Sequence, residues 1–203
     1  MSFLFDKAPQ RVYWELTRAC DLACRHCRAE AIPARDPREL GTAEALRLLD
    51  ELLGFGPRPP YVILTGGDPL KRPDLLTLVE HARSVGLPVL VAPSATLLLT
   101  RETAHALKAA GVETMSLSLD GSNAERHDGL RQIPGTFFRT LEAVQDVLDA
   151  GIQLQINTLV TQETLPDLEE IFRLVSSLGA QRWSLFFLIS VGRGRLLGQL
   201  ERW

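Results

Sequence analysis

Three cysteines, Cys20, Cys24 and Cys27, lie within eight residues of one another, and the chain has no others. An odd number so tightly clustered makes a poor disulfide framework. As thiolates they form a soft ligand set, suited to zinc, copper(I) or an iron–sulfur cluster. Structural zinc asks for four closed ligands, and His26 is the local fourth candidate, although it lies between two of the cysteines. A [4Fe–4S] cluster normally takes four cysteines. Three would leave one iron free to bind something else, and a zinc loop is the competing reading.

Other residues with chemical potential recur at similar places. Gly66-Gly67-Asp68 follows an apolar run at Tyr61–Thr65. Ser116, Ser118 and Asp120 alternate through Thr114–Leu119 and share one face if that run is a strand. Asn157 sits inside the run Ile152–Val160, where a buried amide is costly without a partner. His127-Asp128-Gly129-Leu130-Arg131 reads as a polar loop. Gly192-Arg193-Gly194-Arg195 invites a phosphate-loop reading, but it lacks Gly-Lys-Ser/Thr and the strand–turn–helix context. It reads as the start of a downstream connection.

The elements that must position these residues follow from periodicity. Strands are expected at Val12–Thr17, Tyr61–Thr65, Val89–Ala92, Thr114–Leu119, Ile152–Val160 and Trp183–Ile189. Helices are expected at Thr42–Leu53, Pro73–Val85, Arg101–Ala110 (with Thr100 as N-cap), Thr136–Ala150 and Leu165–Leu178. Each of these helices stops beside a glycine, at Gly54, Gly86, Gly111, Gly151 and Gly179. The alternation predicts an α/β fold: a partial six-fold (β/α) barrel resembling a TIM barrel, its six-stranded parallel sheet lined outside by helices. Such folds gather ligands at the carboxyl ends of their strands. The cysteines, Gly66–Asp68 and Asp120 all fall there.

Composition is consistent with this. The 203 residues are 45% hydrophobic and 23% charged, with 22 Lys plus Arg against 25 Asp plus Glu, a formal net charge of −3. That balance argues against a dedicated nucleic-acid or membrane-surface binder. The N-terminus MSFLFDKAPQ lacks the long apolar core of a secretory leader, and no apolar run approaches a membrane span. Reduced thiols in a cytoplasmic protein are the expectation.

Cys20-Asp21-Leu22-Ala23-Cys24-Arg25-His26-Cys27 resembles the CxxxCxxC signature of the radical S-adenosylmethionine (radical SAM) superfamily. Glu15-Leu16-Thr17-Arg18-Ala19 before it, and Gly66-Gly67-Asp68-Pro69-Leu70 after it, look like the branch with C-terminal SPASM extensions. That branch includes peptide-modifying maturases and proteins of haem-related and pyrroloquinoline-quinone biosynthesis. The resemblance implies a [4Fe–4S] cluster on Cys20, Cys24 and Cys27. S-adenosylmethionine (SAM) would chelate the open iron, and its reductive cleavage would give a 5′-deoxyadenosyl radical that abstracts hydrogen from a substrate. It implies that Gly66, Gly67 and Asp68 meet the methionine ammonium, with Asp68 one methylene shorter than the commoner Glu. Ser118 and Asp120 would reach the ribose or the carboxylate, Arg131 the carboxylate, Asn157 the SAM molecule, Leu188 and Ile189 the adenine, and His26 would stack on adenine. It implies an electron donor such as flavodoxin or ferredoxin. Residues 1–203 are expected to form a single radical SAM core with the C-terminal extension missing. The other readings are an inactive fragment of such an enzyme, or a zinc-stabilised or electron-carrying α/β protein without SAM chemistry.

Overall fold

In the computed structural model, residues 7–198 are described. The N-terminal stretch read as lacking a leader falls partly outside that range, as do residues 199–203 of the expected core. Six strands, β1 (Arg11–Thr17), β2 (Tyr61–Gly66), β3 (Val89–Val91), β4 (Thr114–Ser118), β5 (Gln153–Val160) and β6 (Arg182–Phe187), form one sheet in the order of the chain. Every neighbouring pair is parallel. Among the described residues β6 does not pair back to β1, so the barrel is partial.

Period-two patterning explains why the sheet curves around an interior. On the helix side Val62, Leu64, Met115, Leu117, Leu154 and Ile156 are fully enclosed. Each buried Leu or Ile of this kind contributes roughly 2 kcal/mol. On the inner side the same strands present Thr65, Ser116, Ser118, Gln155 and Asn157 to a cavity. The helices are α1 (Thr42–Glu51), α2 (Leu75–Ser84), α3 (Arg101–Ala109), α4 (Ala124–Arg131), α5 (Thr136–Asp149), α6 (Leu168–Ser177) and the short α7 (Gly194–Gly198). As the sequence leads one to expect, Thr100 caps α3, accepting a hydrogen bond from the Thr103 N–H at 3.2 Å.

Several boundaries differ from the sequence expectation. Gly86, Gly111, Gly151 and Gly179 do take the left-handed conformation after their helices. Gly54 does not: the chain runs on through a 3-10 turn at Leu52–Phe55, and Gly56, at φ 108°, turns instead. Helix α2 starts at Leu75, two residues beyond Pro73, with Asp74 at its N-cap position. The segment around His127 is no loop but helix α4, started by the Asn123 side chain, which accepts from the Arg126 N–H at 3.1 Å. Strand β6 stops at Phe187, which leaves Leu188 and Ile189 beyond the sheet.

Candidate functional site

The cysteine loop leaves β1 and returns beside it. Ala19 and Ile32 form a parallel bridge, with Cys20 N–H donating to Ile32 O at 2.8 Å and Ile32 N–H donating to Arg18 O at 2.9 Å. The Arg18 guanidinium donates to the Ala29 and Glu30 carbonyls from above. From the side, Gly67 N–H donates to Thr17 O and Asp68 N–H to Ala19 O, both at 2.7 Å. These contacts leave no room at the glycines. A Cβ on Gly67 would lie 2.3 Å from Ala19 O, and one on Gly66, itself at φ 128°, would lie 2.4 Å from Thr17 O. The glycine pair therefore admits the main chain of the cysteine loop. Further along, Arg25 makes a two-pronged ion pair with Glu163 at 2.7 and 3.0 Å.

All three thiols line a cavity of about 940 Å³ inside the sheet, together with Gly66, Gly67, Ser118, Asp120, Arg131, Asn157, His26 and Leu188. That volume suits a cofactor plus a further ligand. Cys20 and Cys24 are buried and Cys27 is half-buried. Cys20 Sγ is 3.5 Å from Ser94 Oγ and accepts from the Leu22 N–H at 3.3 Å. Cys27 Sγ accepts from the Ala31 N–H at 3.4 Å, and Arg131 Nη1 reaches Cys24 Sγ at 3.6 Å. Burial pushes the Cys20 thiol up, against its bonds to Ser94 and Leu22. A metal taking this sulfur must therefore displace a proton. Thiolates on one zinc ion stand about 3.8 Å apart for tetrahedral bonds of 2.3 Å. Among the described residues no three His, Cys, Asp or Glu side chains are grouped to hold a single metal ion. Three cysteines lining one cavity are a donor set suited to an iron–sulfur cluster.

Arg131, the last residue of α4, is the charged centre of the rim. It is buried and paired with Asp120. Asp120 also accepts from the Leu159 N–H at 2.7 Å. Burial alone would raise the Asp120 carboxyl, but the Arg131 charge holds it below the ordinary carboxylate range. Burial would lower the Arg131 guanidinium, but Asp120 and Cys24 outweigh it and push it up. One donor, Arg131 Nε, is buried with no partner. His26 lies alongside, its Nδ1 likewise orphaned, and burial and the Arg131 charge push it down to about 4. A guanidinium and a neutral ring on residues lining one cavity fit a polar ligand carrying a carboxylate and an aromatic group.

Asp68 is placed differently from the other expected residues. It is fully buried and does not line the cavity. One oxygen accepts from the Leu70 N–H at 3.1 Å, where it caps a 3-10 turn, and the other accepts from Thr96 Oγ1 at 2.9 Å. Burial pushes its carboxyl up in spite of these bonds. Asn157 faces the cavity with its Oδ1 accepting from Gln155 Nε2 at 2.7 Å. Leu188 packs against Leu130, Leu159 and Leu197, while Ile189 is exposed.

Three residues that the sequence reading left aside also belong to the site. Ser94 follows β3, bonds Cys20, and donates to Gly67 O at 3.2 Å. A polar residue at a strand's carboxyl end was the available signal. His127 is enclosed in α4 and its Nδ1 accepts from the Asp120 N–H at 3.1 Å. Arg193, far along the chain, bonds the cysteine loop; its segment docks here and is not simply a downstream connection.

A parallel β/α partial barrel with a three-thiol loop at the carboxyl end of its first strand defines a class of cluster-bearing α/β proteins. Residues 14–175 match the family model of the Radical SAM superfamily, and the chain belongs to that superfamily. The superfamily uses a [4Fe–4S] cluster and SAM. The chain is 43% identical over 187 residues to an AdoMet-dependent heme synthase of Oleidesulfovibrio alaskensis, covering 92% of this chain and 47% of that protein. It is 33% identical over 194 residues to an Fe-coproporphyrin III synthase of Methanosarcina barkeri, covering 96% of this chain and 47% of the relative. The chain thus spans about half the length of the curated relatives it matches. The fold is also that of Streptococcus suis SuiB bound to S-adenosylmethionine, at a TM-score of 0.77 and 18% identity over 91% of this chain and 42% of that one. A second solved likeness, native anSMEcpe with bound AdoMet, has a TM-score of 0.72 and 16% identity, over 87% of this chain and 50% of that one.

Proposed function

We propose that this chain is the catalytic core of a radical SAM enzyme, with residues 1–203 acting as one core unit. The observation that carries the reading is the meeting of three cysteines from one loop with the Asp120-paired Arg131 around one cavity. In this reading Cys20, Cys24 and Cys27 hold a [4Fe–4S] cluster. When bound, cluster and SAM supply one-electron cleavage of the sulfonium and a carbon radical that removes hydrogen from the substrate. The chain's own residues bind, orient and exclude water. Arg131 would turn its guanidinium to the carboxylate of SAM, while Asp120 keeps it oriented. Gly67 and Ser118 present main chain and hydroxyl at the carboxyl ends of β2 and β4. His26, neutral at physiological pH, offers a flat apolar face for stacking. Asp68 acts by holding the Gly66–Gly67 turn in place.

The substrate class best supported is a haem-pathway tetrapyrrole, because relatives at 43% and 33% identity are named as haem and coproporphyrin synthases. A peptide is the second reading, favoured by the mycofactocin maturase MftC of Mycolicibacterium smegmatis at 35% identity and by SuiB bound to a precursor peptide. The reductant is a low-potential carrier such as flavodoxin or ferredoxin, and the setting is the cytoplasm. No helix among the described residues is long and apolar enough to cross a membrane. The test is anaerobic reconstitution. About four iron and four sulfide per chain are expected, with dithionite-dependent conversion of SAM to methionine and 5′-deoxyadenosine. A reconstituted protein with no iron–sulfur chromophore overturns the proposal.

A further inference from the structure

The Gly192-Arg193-Gly194 segment after β6 is built onto the cysteine loop. Arg193 N–H donates to Cys27 O at 3.0 Å, Nε donates to Cys24 O at 3.0 Å, and Nη1 donates to Ala31 O at 3.2 Å. One residue thus gathers three carbonyls of the loop, two of them belonging to the cysteines. The flanking glycines make this approach possible. A Cβ on Gly192, at φ 52°, would lie 2.6 Å from both Cys27 O and Arg28 O, and one on Gly194 would lie 3.1 Å from Ile189 O. The remaining donor, Arg193 Nη2, is buried without a partner. Among the described residues no carboxylate pairs with this guanidinium. It lines the same cavity as the three cysteines.

We infer that Arg193 is a positioning residue for the proposed cluster, with two effects. First, it fixes the cysteine loop before any metal arrives. Only a planar fork reaches separate carbonyls at once; a lysine offers a single compact point charge. Second, it leaves a positive charge uncompensated beside the thiols. Reduction adds a negative charge to the cluster, and a neighbouring cation in a low-dielectric wall favours that state. Arg193 therefore raises the reduction potential of the cluster relative to a neutral residue at the same place.

This inference rests on the cluster reading above, and the experiment separates the two. Arg193→Gln, Arg193→Lys and, as a control on the exposed side of the same segment, Arg195→Gln are made in the full chain. Hydrogen exchange of the Leu22–Ala31 amides is followed in cluster-free protein. Iron release to a chelator and the midpoint potential, by EPR-monitored titration without SAM, are measured after reconstitution. Exchange in R193Q is expected to rise about thirtyfold, the effect of losing two net hydrogen bonds' protection. Its potential is expected to shift negative. R193K is expected to release iron faster than wild type with a smaller shift in potential than R193Q, and R195Q to match wild type throughout. Unchanged loop exchange in R193Q, or an unchanged potential, overturns the inference. Should R193Q fail to fold, R193K decides: iron release at the wild-type rate overturns it. A wild-type protein that takes up no cluster removes the cluster reading and with it the effect on potential, while loop exchange still decides the clamp.

Discussion

Gly67→Ala separates two roles for the glycine pair after β2. If the glycines serve only to let a ligand approach, the cluster-free protein is indifferent to the substitution. The structure argues otherwise. The added methyl would lie 2.3 Å from Ala19 O and 2.8 Å from Arg18 O, both main-chain atoms with no freedom to swing aside. An ordinary carbon–oxygen contact needs roughly 1 Å more, so the end of β2 must move off the cysteine loop. That movement breaks the Gly67–Thr17 and Asp68–Ala19 hydrogen bonds, each 2.7 Å long. Two such bonds contribute about 2 kcal/mol and the residual strain about 1–2 more, giving a loss of about 3–4 kcal/mol. With a urea m-value of about 2–3 kcal/mol/M, the midpoint falls by about 1–2 M. The assay is urea unfolding of cluster-free protein followed by circular dichroism. Gly54→Ala is the control, because a Cβ there meets nothing within 4 Å and its φ is not left-handed. Its midpoint is expected to hold or rise slightly. A G67A midpoint within about 0.3 M of wild type would refute the packing argument and return the glycine to a purely ligand-facing role.

Arg131→Met leaves Asp120 a buried, unpaired carboxylate, and the cluster-free protein is expected to lose about 3–5 kcal/mol in the same urea assay; adding Asp120→Asn should recover part of that loss. His127, held near 4 by burial and by Arg131, is neutral when folded but protonates near 6.5 when unfolded. Its contribution is complete above about pH 6.5 and is lost as pH falls through the folded value, by up to about 3 kcal/mol. Unfolding free energies measured from pH 7 to pH 4 should show this slope, and His127→Gln should reduce it, the rest coming from His26, likewise held near 4. Asp68→Asn turns an amide donor toward groups that themselves donate, so a loss of about 1–3 kcal/mol is expected before any ligand is added; unchanged stability with impaired SAM binding would instead place its carboxylate on the ligand.

The strands and five of the helices were legible because their apolar spacing reports which face is buried. Leu117 and Leu154 look outward to helices, while Ser116 and Gln155 look inward, and that alternation is visible in the letters. Helix α4 was not legible for the same reason. Ala124–Arg131 is polar nearly all round, with only His127, Leu130 and Arg131 enclosed, so periodicity offers no stripe. Its signals were the Asn123 cap and Asp128, whose carboxylate accepts from the Gly135 and Phe137 N–H groups to start α5. In the site, the cysteine spacing identified the loop at once. The orientation of Asp68 was not recoverable, since it depends on Thr96 and Ser94 closing around it from the next strand's loop. Arg193 was hidden by distance along the chain, as its partners are 162 to 169 residues away.

The narrow neck at Ala19 and Ile32 has a consequence for assembly. The thiols hang on a lobe tied shut at its base by main-chain hydrogen bonds and held by the Arg18 and Arg193 side chains, and the sheet that carries it owes its cohesion to leucine and valine packing. Shaping the polypeptide and charging it with metal are thus separable events, unlike a zinc finger, whose chain has no form without its ion. Cluster-free protein is therefore expected to keep a cooperative urea transition and its circular-dichroism spectrum. A centre stripped by a chelator should then be restored by iron and sulfide without any refolding step.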